Sequence, residues 1–351
     1  MEVRAPGRVN LIGEHTDYSD GWCLPLAIDR ECRIRSVPRP GRVVTARSAE
    51  LAGTVQLPLD ETTTPVGPRW GRFVAGAIEV VRGRGHDVGG TDLAVHSTVP
   101  AGAGLSSSTA LSVALVLALL PPDAPERTDR DLLARLALAA EVAATGVPGG
   151  LLDQMASLYG RAGHALLLDC RSLVVEPVPL PAELAILVVH SGIERELADS
   201  EYAARRAACE AAAARIGVPA LRDATADQVA DDPIARHVVS ENARVLACVT
   251  ALRAGDLPAV GAILLAGHAS LRDDFRVSRP ELDTLVDAFM AHGAYGARLT
   301  GAGFGGCVVG LAPAAGAEEC LAATLADYRT RSGRTPTGFR VTPVDGAGVA
   351  T

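Results

Sequence analysis

The most informative stretch of this chain reads Val99-Pro100-Ala101-Gly102-Ala103-Gly104-Leu105-Ser106-Ser107-Ser108. Its small residues let the backbone curl so that successive N–H groups point inward, and the apolar run 111–120 after it predicts a helix. Free amides at the positive end of a helix favour an anion. The sequence therefore predicts a phosphate-binding loop made of Gly102, Ala103, Gly104, Leu105, Ser106, Ser107 and Ser108.

The composition supports this interpretation, because all 33 basic side chains are arginine and the chain has no lysine. The absence of lysine excludes a Walker-type loop, a protein-kinase lysine, lysine Schiff-base chemistry and a Ser-Lys nucleophile. A cradle of backbone amides needs no lysine. The alternative is a flexible turn that only caps the following helix. Three consecutive serines between a strand and an apolar helix favour the phosphate loop.

Length and charge limit the class of protein. A chain of 351 residues predicts two domains with a cleft between them. The net charge of −8 comes without a basic cluster, which argues against nucleic acid as a partner. No apolar run approaches the roughly 20 residues of a membrane span, and no signal peptide follows Met1. Together with seven cysteines and no C-x-x-C pair, these features predict a cytoplasmic protein with reduced thiols and no membrane contact.

Hydrophobic periodicity predicts a mixed α+β chain. The pattern indicates strands at 34–37, 42–46, 184–190 and 307–311, and helices at 128–145, 200–216, 241–254 and 257–271. Thr128 is the predicted N-cap of the first of these helices, and Gly146 its stop. Alternating prolines at 177, 179 and 181 suggest a domain boundary within 172–181.

Two further segments carry polar residues at turns. The first reads Ala5-Pro6-Gly7-Arg8-Val9-Asn10-Leu11-Ile12-Gly13-Glu14-His15-Thr16-Asp17-Tyr18, and its carboxylates suit a hydroxyl-rich ligand. The second reads Leu299-Thr300-Gly301-Ala302-Gly303-Phe304-Gly305-Gly306 and is a second glycine turn of phosphate-loop type. Taken alone, the first is equally well explained as a solvated loop, and the second is weak evidence.

Together the three segments resemble the signature motifs of the GHMP kinases, and the first is similar to the sugar-binding signature of galactokinases. The resemblance extends through Gly150-Leu151-Leu152-Asp153-Gln154 and Ser200-Glu201-Tyr202, and so covers most of the chain. It implies an α+β, two-domain GHMP kinase architecture. Residues 1–178 would form a ribosomal-S5-like domain and residues 179–351 a ferredoxin-like domain, with the active site between them.

The resemblance also implies a role for each matching residue. It implies Asp153 as the catalytic carboxylate that accepts the proton of the sugar C1 hydroxyl, and Arg8 as the arginine that steadies it. The implied sugar-binding residues are Glu14, His15, Thr16, Asp17, Gly150 and Tyr202. Ser108 and Glu141 are the implied Mg²⁺ ligands, and ATP the implied phosphoryl donor. The implied reaction converts galactose to galactose 1-phosphate, with the protein a monomer or weak dimer.

Several alternatives remain open from sequence. Asp153 alone reads as a helix-start residue, Glu141 as a solvated helix position, Tyr202 as a core-edge aromatic, and His15 as an ordering residue without ligand contact. Glu194 stands where galactokinases usually carry a basic residue, and Gly149 where a bulkier one is common.

Those two departures leave room for another GHMP kinase, acting on N-acetylgalactosamine, arabinose or a uronic acid. A non-catalytic galactose sensor is a less favoured reading, because Arg8, Asp153 and the serine loop are all present. A mevalonate-type kinase is disfavoured by the sugar version of the first motif and the missing lysine. A hydrolase built on Ser108 and His15 lacks the nucleophile elbow.

Overall fold

The structure is a computed structural model that describes residues 1–59, 67–193 and 198–350. The N-terminal half begins with a strand and alternates strands with four helices. In chain order these are β1 (Glu2–Asn10), β2 (Trp22–Cys23), β3 (Pro25–Pro38), β4 (Val43–Ser48), β5 (Thr54–Pro58), α1 (Gly71–Gly83), β6 (Thr91–Ser97), α2 (Ser107–Leu119), α3 (Arg130–Thr145), α4 (Leu152–Tyr159), β7 (His164–Asp169) and β8 (Val175–Pro179).

A six-stranded sheet in the order β13-β1-β3-β6-β4-β5 forms the base of this half, where β13 is the last strand of the chain, Gly348–Val349. Helix α2 packs on β1 and β3 and also contacts α1 and α3. Every residue from Thr109 to Leu119 is buried, as expected for a helix that is apolar on all sides. The first turn of this buried helix is thereby held at a fixed place above the sheet.

The described part of the C-terminal half contains five α-helices and four further strands. In chain order these are β9 (Leu184–His190), α5 (Ala198–Ile216), α6 (Pro233–Ala254), α7 (Leu257–Asp273), α8 (Pro280–Ala291), β10 (Gly296–Thr300), β11 (Cys307–Pro313), α9 (Ala317–Ser332) and β12 (Thr337–Val341). The sheet order is β10-β11-β9-β12, and all three pairings are antiparallel. With α8 and α9 packed together, this arrangement confirms the ferredoxin-like α+β prediction.

The chain crosses the predicted domain boundary without a linker. Residues 175–179 form strand β8, which pairs with β7 in a three-stranded sheet with β2. The C-terminal β13 returns to pair with β1, Val349 lying opposite Val3. Some buried residues of α6 and β9, such as Val245 and Val188, join the same apolar core as β1 and α2. A division at residue 178 therefore stays a prediction, since strands and core packing connect the two halves.

Most predicted elements are confirmed, but two helix starts were wrong. Helix α3 begins after Asp129, whose carboxylate accepts a hydrogen bond from the Leu132 N–H, whereas the Thr128 hydroxyl bonds to Pro125 O. Helix α6 begins at Pro233, not at residue 241, with Asp232 as its N-cap. Helix α3 stops at Gly146 as predicted, and α5 ends before Gly217; both glycines have a positive φ. In the part of the chain that the structure describes, no helix is long and apolar enough to cross a membrane.

Candidate active site

A cleft of about 760 Å³ brings together the three segments singled out from the sequence. Arg8 and the turn after β1 line one side, the serine loop and α2 another, and the start of α4 a third. Tyr202 of α5 and the glycine turn after β10 complete the wall. Residues that lie far apart along the chain therefore meet in this cleft.

The predicted phosphate loop has the expected backbone. Gly102 and Gly104 adopt positive φ angles of 69° and 79°, and Ser106 has a φ of 59° at the N-cap of α2. The backbone thus turns sharply before the helix begins at Ser107. Residues lining the cleft from this loop are Gly102, Gly104, Ser106, Ser107 and Ser108. Ala103 and Leu105 are buried instead, so their side chains anchor the loop to the core and only their backbone can serve a ligand.

Arg8 and Asp153 form a bidentate ion pair inside the cleft. Arg8 Nε lies 2.6 Å from Asp153 Oδ1, and Arg8 Nη2 lies 2.8 Å from Oδ2. Arg8 Nη1 donates to the Gly104 carbonyl at 2.6 Å, and the Ser106 hydroxyl donates to Asp153 Oδ2. Parallel N–H···O bonds of this kind fix both distance and plane. The arginine thereby ties the carboxylate of α4 to the loop before α2.

A bulge in β1 positions Arg8 for this contact. The register of β1 against β3 shifts between Pro6 and Arg8, and Arg8 N–H bonds to Leu105 O at 3.1 Å. A Cβ on Gly7 would lie only 2.7 Å from the same Leu105 oxygen. The glycine thus allows the serine loop to lie directly against the strand that carries the arginine.

Glu141 of α3 faces the first turn of α2. Its Oε2 accepts hydrogen bonds from Thr109 Oγ1 and Gln154 Nε2, both at 2.9 Å, and the Ser108 hydroxyl lies near the same carboxyl. Burial raises the pKa of this carboxyl, an effect that the Ser108 hydroxyl opposes. The predicted Mg²⁺ ligands Ser108 and Glu141 therefore lie near each other in the cleft.

These two oxygen donors fit the way Mg²⁺ is bound in kinases, by one or two side chains together with phosphate oxygens and water. Within residues 1–59, 67–193 and 198–350, no group of three or more His, Cys, Asp and Glu side chains is placed to hold a metal alone. A magnesium ion here would accordingly draw its remaining ligands from the nucleotide and from water.

Glu14, in the turn after β1, lies at the cleft wall but is almost fully buried. Glu14 is 3% exposed, and its Oε2 lies 2.7 Å from Arg298 Nη2 of β10. The same Nη2 lies 2.7 Å from Glu241 Oε1 of α6. Burial raises the pKa of Glu14 to about 7, although the Arg298 charge opposes the shift. Glu241 is held well below its usual pKa by Arg298, despite its burial.

Asp17 and Gly150 meet at the predicted sugar side of the cleft. A Cβ on Gly150 would lie 2.0 Å from Asp17 Oδ2, so only glycine leaves room for that carboxylate. Burial, with a smaller contribution from the Asp153 charge, raises the pKa of Asp17 to about 6. Two carboxylates, Asp17 and Asp153, thus line the same cleft as Gly150.

The other predicted sugar residues are placed differently. Tyr202 lines the cleft, and its ring centroid lies 5.8 Å from that of His15. His15 also lines the cleft, while its two ring nitrogens contact Tyr18 OH at 2.8 Å and Ala302 O at 3.2 Å. Such contacts favour an ordering role. Thr16 is the exception, since it is 0% exposed, lies outside the cleft lining and bonds to Gly13 O and Trp22 O.

Sequence reasoning missed three residues that the structure brings to this site. Gln154 contacts Glu141, Arg298 joins two carboxylates, and His190 lines the cleft at the end of β9. The sequence predicted Ser106 as part of the phosphate loop, but not its contact with Asp153. A signal existed for Gln154, which directly follows Asp153, but none for Arg298, an isolated charge in an apolar strand. Glu194, the departure noted in the sequence, lies outside the described residues.

Comparison with known proteins gives consistent results. Three family profiles match: galactokinase galactose-binding signature over residues 1–35, GHMP kinases N terminal domain over 72–161 and GHMP kinases C terminal over 248–328. A galactokinase of Chloroflexus aggregans is 42% identical over 95% of this chain and 89% of that protein.

Two solved structures extend the comparison. Lactococcus lactis galactokinase complexed with galactose has a TM-score of 0.91 and 31% identity, over 99% of this chain and 95% of its own. Methanococcus jannaschii mevalonate kinase has a TM-score of 0.71 at 18% identity, over 98% of each chain, a likeness of fold alone.

Proposed function

The chain belongs to the galactokinases of the GHMP kinase family, and from that premise we propose that it transfers the terminal phosphoryl group of ATP to the C1 hydroxyl of galactose. The products are ADP and galactose 1-phosphate. The observation that carries the proposal is the Arg8–Asp153 ion pair, whose two hydrogen bonds are 2.6 and 2.8 Å long. The pair lies in one cleft with the serine loop and the turn that bears Glu14 and Asp17. A phosphate site and a hydroxyl-binding site thus share one charged pair.

Asp153 and Arg8 divide the work at the reacting atoms. Asp153 orients the C1 hydroxyl and accepts its proton late, because a loose phosphoryl-transfer transition state needs little prior deprotonation of the nucleophile. Arg8 holds both oxygens of Asp153, and its charge also covers the moving phosphoryl group. Holding nucleophile and phosphate in line, together with stabilising the charge of the transition state, accounts for most of the rate gain in such a reaction.

The serine loop holds the donor. Amides of residues 102–108 and the N-terminus of α2 bind the phosphate oxygens without a lysine. Ser108 and Glu141 would hold a magnesium ion on these phosphates. Such an ion would supply positive charge to offset the charge of the phosphates during transfer.

On the acceptor side, the proposal assigns the sugar hydroxyls to Glu14, Asp17 and Tyr202. Glu14 and Asp17 supply carboxylate oxygens at the cleft wall, and Tyr202 packs beside His15. Gly150 leaves room for the Asp17 carboxylate. Thr16, with its hydroxyl bonded to Gly13 O and Trp22 O, serves the shape of the turn.

The experiment that tests the proposal is ADP release measured with a panel of acceptors: galactose, N-acetylgalactosamine, arabinose, galacturonate and mevalonate. We expect galactose to have the highest kcat/KM. If another sugar is preferred, the kinase assignment stands and the acceptor is wrong. A protein that binds galactose and ATP without turnover is instead a sensor.

A further inference from the structure

The turn that carries Glu14 rests on one face of helix α6. Glu241 Oε1 accepts the Gly13 N–H at 2.9 Å, and Asn242 Oδ1 accepts the Trp22 N–H at 2.8 Å. His237, one helical turn before Glu241, contacts Glu14 O through its Nε2 at 3.2 Å. The backbone on both sides of the predicted sugar-binding residues is therefore held by side chains of a helix that does not itself line the cleft.

Arg298 adds a direct connection to the Glu14 carboxylate. Its Nη2 lies 2.7 Å from both Glu14 Oε2 and Glu241 Oε1, and both Arg298 and Glu241 are 0% exposed. A Cβ on Gly267 of α7 would lie 2.4 Å from Arg298 Nη1, so that glycine leaves the space for the guanidinium. Arg244 pairs with the other oxygen of Glu241 at 2.8 Å. A buried charge network thus ends at a carboxylate of the cleft.

We propose that Glu241 and Arg298 are positioning residues for galactose recognition, which fix the Glu14 carboxylate at the cleft wall through a shared guanidinium nitrogen. The inference rests on the proposed function, because it takes Glu14 to be a sugar-binding group. Neither residue touches the substrate. Glu241 sets the backbone at Gly13 and the position of Arg298, and Arg298 sets the side chain of Glu14.

The network is poorly explained by stability alone. Buried ion pairs seldom stabilise a fold more than apolar residues of the same volume would. Within the described residues, Arg298 Nε, Nη1 and Nη2 all lack a partner of hydrogen-bond geometry, although Nη2 lies 2.7 Å from two carboxylate oxygens, and this adds a desolvation cost. A role in fixing Glu14 gives a reason for an arginine in a strand that is otherwise apolar.

The charges around Glu14 make the inference testable by pH. Arg298 and Arg8 favour its ionised form, whereas burial and the Glu241 charge favour the protonated form. Arg244 faces Glu241, and His237 is neutral because burial lowers its pKa to about 4. Removing the Glu241 charge should therefore lower the pKa of Glu14, and removing the Arg298 charge should raise it.

The experiment compares the wild type with Glu241→Gln and Arg298→Met. The control is Arg253→Gln, an exposed position on α6, the helix that carries Glu241. Galactose affinity is measured by calorimetry without nucleotide from about pH 5.5 to pH 8.5, and KM and kcat by ADP release. For Arg298→Met we expect the affinity for galactose to fall about tenfold or more, which corresponds to about 1.4 kcal/mol. The pH below which affinity is lost should be higher than in the wild type. For Glu241→Gln, the pH below which affinity is lost should be lower than in the wild type.

In both variants the KM for ATP should stay within about twofold of wild type, since the serine loop is untouched, and the control should match wild type throughout. Unchanged galactose affinity and an unchanged pH profile in Glu241→Gln, the near-isosteric variant, overturn the inference even if Arg298→Met fails to fold. A wild-type protein that does not phosphorylate galactose overturns the proposed function instead.

Discussion

The Asp17 carboxylate occupies the space that a side chain at residue 150 would need, because a Cβ on Gly150 would lie 2.0 Å from Asp17 Oδ2. We predict that Gly150→Ala displaces Asp17 and raises the KM for galactose about tenfold or more, with little change in the KM for ATP. Steady-state kinetics with each substrate varied will measure this.

Gly149→Ala is the matched control, because a Cβ there would make an ordinary contact of 3.5 Å with Leu138. It should leave the KM for galactose near that of the wild type. Equal effects of the two substitutions would contradict a specific Asp17–Gly150 contact and point to a general need for flexibility in residues 149–150.

Asp153→Asn should reduce kcat by about 100-fold to 10,000-fold, the usual contribution of a positioned acid or base. An amide also turns one acceptor oxygen facing Arg8 into a donor, so the 2.6 and 2.8 Å pair cannot form as a whole. ATP binding, which depends on the serine loop, should persist in fluorescence titrations.

The control for this variant is Asp129→Asn, since asparagine caps a helix as well as aspartate does at the start of α3. It should keep wild-type turnover. Near-normal kcat in Asp153→Asn would remove Asp153 from the reacting atoms and leave it an N-terminal helix residue.

The sequence predicted this part of the site because its residues fall in compact motifs. Arg8, Glu14 and the serine loop lie beside glycines that mark turns, and Asp17 and Asp153 lie within four residues of one. Arg298 lies within an apolar strand and finds its carboxylates only through tertiary contacts with distant segments. No local pattern reports such a pairing, so the supporting network had to come from the structure.

The two wrong helix starts have a similar physical origin. Thr128 and Asp129 are both good N-caps, and the choice between them depends on the 3₁₀ turn that already uses the Thr128 hydroxyl. Helix α6 opens with Asp232 and Pro233, a cap and a favoured first residue, but its first turns carry polar side chains. Two of these residues have partners in distant segments, Arg236 at Asp274 and His237 at Ser270 and Glu14, and no local pattern reports such contacts.

Galactose affinity should fall as the pH drops below about 7. The raised pKa values of Glu14, about 7, and Asp17, about 6, mean that both carboxyls become protonated at higher pH than usual. A protonated carboxyl has less capacity to accept hydrogen bonds from sugar hydroxyls. Calorimetry across this range should show the loss.

Glu14→Gln separates the contributions of the two carboxyls. In this variant the loss of galactose affinity near pH 7 should disappear, and the loss near pH 6 should remain. An affinity for galactose that does not change from about pH 8 to about pH 5.5 would contradict sugar binding by ionised Glu14 and Asp17.

Glu141→Gln should raise the Mg²⁺ concentration needed for half-maximal activity about tenfold, because a neutral amide is a weaker ligand for a hard cation. The amide can still bond to Thr109 and Gln154, so the fold should hold. A magnesium titration at saturating ATP and galactose measures the effect. Arg135→Gln, an exposed change on α3, is the control. An unchanged requirement would place the ion away from Glu141.

Gly7→Ala should couple a loss of stability to a loss of activity. The added methyl group would lie 2.7 Å from Leu105 O, a backbone atom, and 3.0 Å from Val99 Cγ1, so the strand and the serine loop must separate. We expect the free energy of unfolding to fall by about 1–3 kcal/mol in urea titrations.

The kcat of this variant should fall together with its stability, because Arg8 follows Gly7 directly and would be drawn away from Asp153. Gly83→Ala is the control, since a Cβ there meets nothing within 4 Å near the end of α1. That substitution should raise stability by about 0.4–1 kcal/mol through the unfolded chain and leave kcat unchanged. Full activity in a destabilised Gly7→Ala would show that the bulge in β1 serves packing and does not set the position of Arg8.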